Sequence, residues 1–221
     1  MNQRLEDLMR MLQSPTGALE LVAPLVISMC VMVVFAAVII NFISCRQPDG
    51  IKRERKSVVA TGTMTLFFCL FYAAVRSRIG EVPVPATWVR IVMVVAGLAV
   101  IVFGCAVNVM GRFRLGGNWA NQATIYREQK LVTSGVYGWV RHPLYASLIW
   151  MFFGASLVYA NVAAFLLNAL IFVPFMVYRA GLEEAMLAAE FKEYGDYQRR
   201  VGMLFWKPGF RRGRSHTREC R

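Results

Sequence analysis

Residues 143–178 read PLYASLIWMFFGASLVYANVAAFLLNALIFVPFMVY, 36 positions without one Asp, Glu, Lys or Arg. As one straight helix at ~1.5 Å per residue the stretch would be roughly 54 Å long, well beyond the ~30 Å hydrocarbon layer of a bilayer. The chain therefore has to fold back inside it. The break is expected around Tyr159, Ala160 and Asn161, where an interfacial aromatic and a polar turn former interrupt the apolar run. The prediction is a hairpin of two short helices. Its ends, at His142 and Arg179, then return to the same membrane face although 37 residues separate them.

Working outward, Leu21 to Cys45 is a second uncharged run, Ser57 to Val75 a third and Ile91 to Gly111 a fourth, each long enough to cross. Together with the hairpin they predict an all-α integral membrane bundle of about five transmembrane helices. The composition agrees: 57% of the 221 residues are hydrophobic and 17% charged, an apolar share above the ~45–50% of soluble domains. A cleaved signal peptide is excluded for the first run, because a signal's apolar core spans only ~7–15 residues. Residues 1–20 precede it. There Leu5, Leu8, Met9 and Leu12 recur at helical spacing among charges, which suits an N-terminal interfacial segment.

The net charge of +12 points either to nucleic acid or to a membrane surface, and the placement of the charges decides. With the N-terminus outside, Arg46 to Lys56, Arg112 to Arg141 and Arg179 to Arg221 face the cytoplasm, and they hold 20 of the 25 basic residues. Arg4, Arg10, Arg76, Arg78 and Arg90 fall on the opposite side. That asymmetry is the one the positive-inside rule expects, so the C-terminus is read as cytoplasmic and nucleic acid is dropped as a partner. The basic tail, residues 209–221, reads as a contact with lipid headgroups. Cys30, Cys69 and Cys105 lie in spans, and no cysteine or histidine spacing suggests a metal site.

The least membrane-like segment lies between the fourth run and the hairpin, and a loop of this length is usually functional. It ends in Arg141-His142-Pro143. Pro143 suits a first helical turn, and the positive helix end behind it suits an anionic ligand group. On its own, His142 reads equally as an interfacial histidine bonded to a loop carbonyl. At the far end of the hairpin, Arg179 and Glu183 stand i, i+4 on one helix face, which alone is a surface ion pair. The fold-back brings them to the face that holds His142 and Tyr145. A cation, a carboxylate, a histidine and tyrosines gathered at one span end favour a site over a solvated patch.

Read in order, LVTSGVYGWVRHPLY (131–145), an apolar hairpin, RAGLEE (179–184) and EFKEYGDYQRRV (190–201) resemble the isoprenylcysteine carboxyl methyltransferase family and its wider group of integral-membrane methyltransferases, over residues 90 to 208. The resemblance implies one transmembrane methyltransferase domain, residues 21–208, with its cofactor region at about 112–145 and 179–208. It implies S-adenosylmethionine as cofactor, contacted by Gln122, Gln129, Lys130, Leu131, Val132, Tyr137, His142, Pro143, Leu144, Tyr145 and Glu183. Arg179 matches the family arginine that faces the substrate carboxylate. Arg179, Glu183 and His142 are thus the candidate catalytic residues, and no metal is expected. The partners implied are a lipophilic or lipidated acceptor and membrane lipids, and the five-span form resembles the compact prokaryotic type, which implies a bacterial inner membrane. Tyr194, Tyr197 and Arg200 receive no role, because the segment after Glu184 is one residue shorter than the family spacing.

Glu183 suits the cofactor's amino group, while His142 and the helix end behind it suit its carboxylate. Tyr137 and Tyr145 suit adenine or the sulfonium. A carboxylate acceptor needs only orientation. An amine acceptor, as in phospholipid methylation, needs a proton acceptor, for which Glu184 or His142 are candidates. Two other classes stay open at this point: a membrane double-bond reductase using a reduced nicotinamide cofactor, and a non-enzymatic membrane scaffold.

Overall fold

The structure is a computed structural model that describes residues 15–44, 51–55, 58–116, 123–126 and 131–207. Its helices are α1 (Pro15–Ser44), α2 (Val58–Arg76), α3 (Thr87–Leu115), α4 (Pro143–Val158), α5 (Val162–Leu167), α6 (Val173–Glu190) and α7 (Tyr194–Arg200). A single π turn, Asn168–Phe172, joins α5 to α6 without a break in the helical path. Three stretches are long and apolar enough to cross a membrane, Thr16–Asn41, Thr87–Leu115 and Val162–Glu190, with Gly62–Arg76 and Pro143–Val158 shorter. Leu25 is 70% exposed and Ile43 76%, and Val31, Met32 and Phe35 lie open beside them. An apolar surface of this extent marks lipid as the surrounding solvent, and the protein is an integral-membrane helical protein.

The hairpin forms where the sequence analysis placed it. α4 ends at Val158, Tyr159 to Asn161 make the turn, and the Asn161 side chain caps α5 by accepting from the Ala164 N–H at 2.7 Å. Its arms differ from the expectation of two short helices. α4 has 16 residues, but the returning helical path runs for 29, from Val162 to Glu190. The reason lies near its middle. Pro174 has no N–H to give and its ring crowds the carbonyl four residues back, and the chain relieves this by widening into the π turn instead of stopping. Asn168 in that turn is wholly buried and donates to the Ile149 carbonyl at 3.1 Å, which holds the widened turn against α4.

The bundle is all-helical, as expected, and one short ribbon accompanies it. Ile51–Arg55 (β1) and Ala123–Tyr126 (β2) pair as a two-stranded antiparallel ribbon. Both segments are too short to show in a hydropathy reading, and what joins them is backbone pairing across distant chain. Of the interfacial segment expected over residues 1–20, residues 15–20 belong to α1, and 1–14, like the basic tail 209–221, lie outside the described residues.

α3 and α4 form the spine. Gly97 approaches so closely that a Cβ there would lie 2.6 Å from the Gly154 carbonyl oxygen, and a Cβ on Gly154 would meet the Gly97 oxygen at the same distance. Gly104 and Gly111 continue the row at intervals of seven, against Met151 and Leu144. In lipid, where apolar surface gains nothing by leaving the solvent, such close backbone packing is a main source of helix association. Beside the spine, Phe67, Phe71, Phe152 and Phe172 make an aromatic cluster, with Phe67 stacked on Phe172 at 4.3 Å between ring centroids. The spine places the N-terminus of α4 beside the C-terminal end of α3, and that end of the bundle carries Arg141, His142, Glu183 and Glu184.

Candidate active site

Pro143 opens α4 with His142 as its N-cap residue, and both are buried. The segment entering α4 is held by a bridge to the chain beyond α7. The Arg141 N–H donates to the Gly202 carbonyl at 2.8 Å and the His142 N–H to the Met203 carbonyl at 3.1 Å. His142 is therefore fixed from its backbone, and its ring faces the C-terminal part of α6.

There the ring lies between two carboxylates. Nε2 is 3.1 Å from Oε1 of Glu184, and Nδ1 is 3.5 Å from Oε2 of Glu183. The Tyr145 hydroxyl donates to Oε1 of Glu183. Arg141 completes the cluster. Its Nε donates to the same Glu184 oxygen at 2.7 Å, and its Nη1 donates to the carbonyls of Gln198, at 3.0 Å, and Val201. The Gln198 amide donates to Oε2 of Glu184 at 2.8 Å. Glu184 is thus a buried anion bonded by an arginine, a histidine and an amide, while Glu183 keeps about a quarter of its side chain exposed. Burial pulls the His142 pKa down, but the hydrogen bonds and charges of Glu183 and Glu184 outweigh it, and the group sits above its ordinary value.

Tyr137 stands behind this cluster in a short 3-10 turn, Gly135–Gly138, and packs with Val136, Val107 and Val132. The Tyr197 hydroxyl donates to the Tyr137 carbonyl at 2.6 Å, so α7 holds the turn in place. Burial raises the pKa of both phenols, and they remain neutral donors. Under Tyr137, α3 supplies a polar chain at membrane depth. Arg112 Nε donates to Asn108 Oδ1 at 2.9 Å, and Asn108 Nδ2 donates to Ser147 Oγ at 2.8 Å.

The fold therefore brings together His142, Tyr145 and Glu183, with Tyr137 and Pro143 beside them. Leu144 packs toward Gly111, and Val132 lies under the turn. Gln122, Gln129 and Lys130 lie outside the described residues, and Leu131 is half-buried at the edge of the described loop. Arg179 is one step removed from the acid pair. It does not pair with Glu183 as the i, i+4 spacing allowed; its Nη1 reaches Met64 Sδ at 3.2 Å and its guanidinium lies 5.6 Å from the Tyr145 ring centre. Three residues that the sequence reading left without a role belong to the cluster: Arg141, Gln198 and Tyr197. Arg141 was legible as the first member of its Arg-His-Pro triplet, whereas Gln198 and Tyr197 enter only because α7 folds back under α4.

Fold and site define a class: an integral-membrane helical protein with a buried histidine, carboxylate and arginine cluster where its central hairpin returns to the interface. Within that class, residues 95–189 match the profile of the isoprenylcysteine carboxyl methyltransferase family, and the resemblance carried by the motifs holds over that segment. The chain is 34% identical over 117 residues to the protein-S-isoprenylcysteine O-methyltransferase of Rattus norvegicus, covering 51% of this chain and 41% of the relative. It is 32% identical over 126 residues to that of Homo sapiens, covering 55% and 43%, and 28% identical over 112 residues to that of Saccharomyces cerevisiae, covering 46% and 47%. The chain thus spans less than half the length of these relatives. The structure of a eukaryotic intramembrane Ras methyltransferase, an isoprenylcysteine carboxyl methyltransferase, aligns with 67% of this chain and 50% of its own at 27% identity and a TM-score of 0.48.

Proposed function

We propose that the chain is a membrane methyltransferase that moves a methyl group from S-adenosylmethionine to the carboxylate of a lipophilic acceptor, at a site facing the cytoplasm of a bacterial inner membrane. The observation that supports it is the His142, Tyr145, Glu183 and Glu184 cluster at the returning end of the hairpin, inside the family-matched segment. The residues fit the cofactor's chemistry. Glu183 is the acid of the pair that stays partly exposed, suited to an ammonium group, and the aromatic rings of Tyr145 and Tyr137 border it, suited to a sulfonium or a purine. When bound, S-adenosylmethionine supplies an electrophilic methyl group on a good leaving group.

The protein's part is then binding and alignment. Glu183 binds, held in direction by the Tyr145 hydroxyl and by His142. Both His142 ring nitrogens serve carboxylates, so the cofactor's own carboxylate is left to the first N–H groups of α4. Arg179, near the Tyr145 ring and facing α2, orients an acceptor carboxylate that arrives from the bilayer side. The amine-acceptor alternative is disfavoured by one observation: Glu184, its best base, already accepts from Arg141, His142 and Gln198.

The test is cofactor binding by the detergent-solubilised protein. S-adenosylhomocysteine raises its melting temperature, and Glu183→Ala abolishes that rise. Stabilisation by a reduced nicotinamide cofactor alone would overturn the reading in favour of the reductase class.

A further inference from the structure

The end of the bundle opposite the histidine cluster holds a second concave feature. Between α1 and α2, floored by α3 and α4, lies a cavity of about 1140 Å³ whose apolar lining includes Phe35, Phe71, Ile101, Phe152 and Val158. Ile101 and Val158 are fully buried at its floor, while Phe35 is 59% exposed at its lip, so the groove opens sideways toward lipid. Its polar end is formed by Glu20, Arg76, Arg78, Glu81 and Arg90.

The rim is built, not frayed. The turn after α2 and the hairpin turn interlock through Val82 N–H to Ala160 carbonyl at 2.9 Å and Val162 N–H to Gly80 carbonyl at 2.8 Å. Asn161 ties both to α2 by donating to the Ala74 carbonyl at 3.3 Å. Arg78 and Ala160 hold left-handed backbone, φ 56° and 45°, which non-glycine residues adopt only when their surroundings enforce it. Arg90 leans across the mouth, its Nη1 on the Val158 carbonyl at 2.6 Å.

The charge does not cancel there. Glu20 lies 3.8 Å from Arg90 and Glu81 lies 3.6 Å from Arg78, which leaves Arg76 with no carboxylate among the described residues. An apolar groove open to the bilayer, ending at the interface in surplus arginine, has the complementarity of a single lipid with a phosphate-bearing, net negative headgroup. A second copy of the chain fits less well, since a two-fold contact through this face sets the same arginines against each other.

We propose that this groove is a structural lipid site, separate from the histidine cluster, that retains one anionic phospholipid with its chain along Phe71 and Phe152 and its phosphate at Arg76 and Arg90. The experiment is native mass spectrometry of the purified protein offered equal amounts of phosphatidylglycerol and phosphatidylethanolamine with identical chains. The expected result is one retained phosphatidylglycerol per chain, preferred about fivefold, as one surplus interfacial arginine provides. Arg76→Gln, at an exposed side chain, brings that preference close to unity, and Ser28→Trp, on the groove wall, removes retention while the melting temperature of the delipidated protein holds. Equal retention of the two lipids by the unmodified protein overturns the proposal. So does undiminished retention in Ser28→Trp, or a dimer that Ser28→Trp dissociates, which assigns the groove to a second copy.

Discussion

His142 Nε2 lies 3.1 Å from Oε1 of Glu184, and the two residues stand 42 positions apart, on opposite arms of the hairpin. The contact exists only because the arms return to one level. It makes Glu184 the anion that joins the start of α4, through Arg141 and His142, to α6, which carries it, and to α7 through Gln198.

Removing that anion leaves Arg141 and a raised-pKa His142 in a buried place without their counter-charge. Glu184→Ala is expected to cost about 3–5 kcal/mol, the usual penalty for truncating one partner of a buried ion pair. Denaturant unfolding in mild detergent measures it. Glu183→Ala, at the more exposed acid, is expected to cost markedly less, so a reversed order would show that the two glutamates have exchanged roles.

The His142 pKa lies above its ordinary 6.5, which fixes the sign of a pH effect. The bond between the protonated ring and its two acids contributes stability that is complete below about 6.5 and is lost as pH rises through the raised folded value. The melting temperature is therefore expected to fall on the alkaline side of neutrality by more in the unmodified protein than in His142→Gln. Parallel curves for the two proteins would show that the ring is neutral in its place.

Tyr197→Phe removes the hydroxyl that holds the Tyr137 carbonyl and leaves that acceptor buried. A loss of about 1–3 kcal/mol is expected. If Tyr137 borders the cofactor, the variant also binds S-adenosylhomocysteine more weakly by calorimetry, whereas an unchanged affinity would confine Tyr197 to structure.

Along the spine, Gly154→Ala places a methyl group 2.6 Å from a backbone oxygen of α3, and neither helix has a flexible side chain there to yield. The cost is expected at about 1–3 kcal/mol, as for other overpacked contacts. Gly181→Ala, where an added methyl meets nothing within 4 Å and helix propensity favours alanine, is the matched control and should hold or raise the melting temperature.

Much of this was legible in residue order because it depends on solvent. Runs without charge mark the helices, and the length of 143–178 forces a turn whichever side chains make it. The meeting of His142, Tyr145 and Glu183 follows from that turn and from helical spacing alone. The β1 and β2 ribbon was not legible, since backbone pairing between segments of five and four residues leaves no periodic trace. The length of the returning arm was misread because the charge-free run ends at Tyr178, whereas the helix continues through the charge-bearing segment 179–190. Arg141 was seen only as a neighbour of His142, because its partners Glu184, Gln198 and Val201 lie 43, 57 and 60 residues away. The row Gly97, Gly104 and Gly111 was present in the sequence at a spacing of seven, a signal that hydropathy averages away.

Arg141 is satisfied by carbonyls from the end of α7, and the backbone entering α4 by those of Gly202 and Met203. These positions leave the ribosome long after α3 and α4 have emerged. The helices can enter the bilayer and pair while the acid cluster is still unmade, with Arg141 and His142 waiting in water at the surface. Synthesis past Met203 is then the step on which the acid cluster depends. Chains released before that point are expected to reach the membrane, resist extraction and lack the cluster altogether.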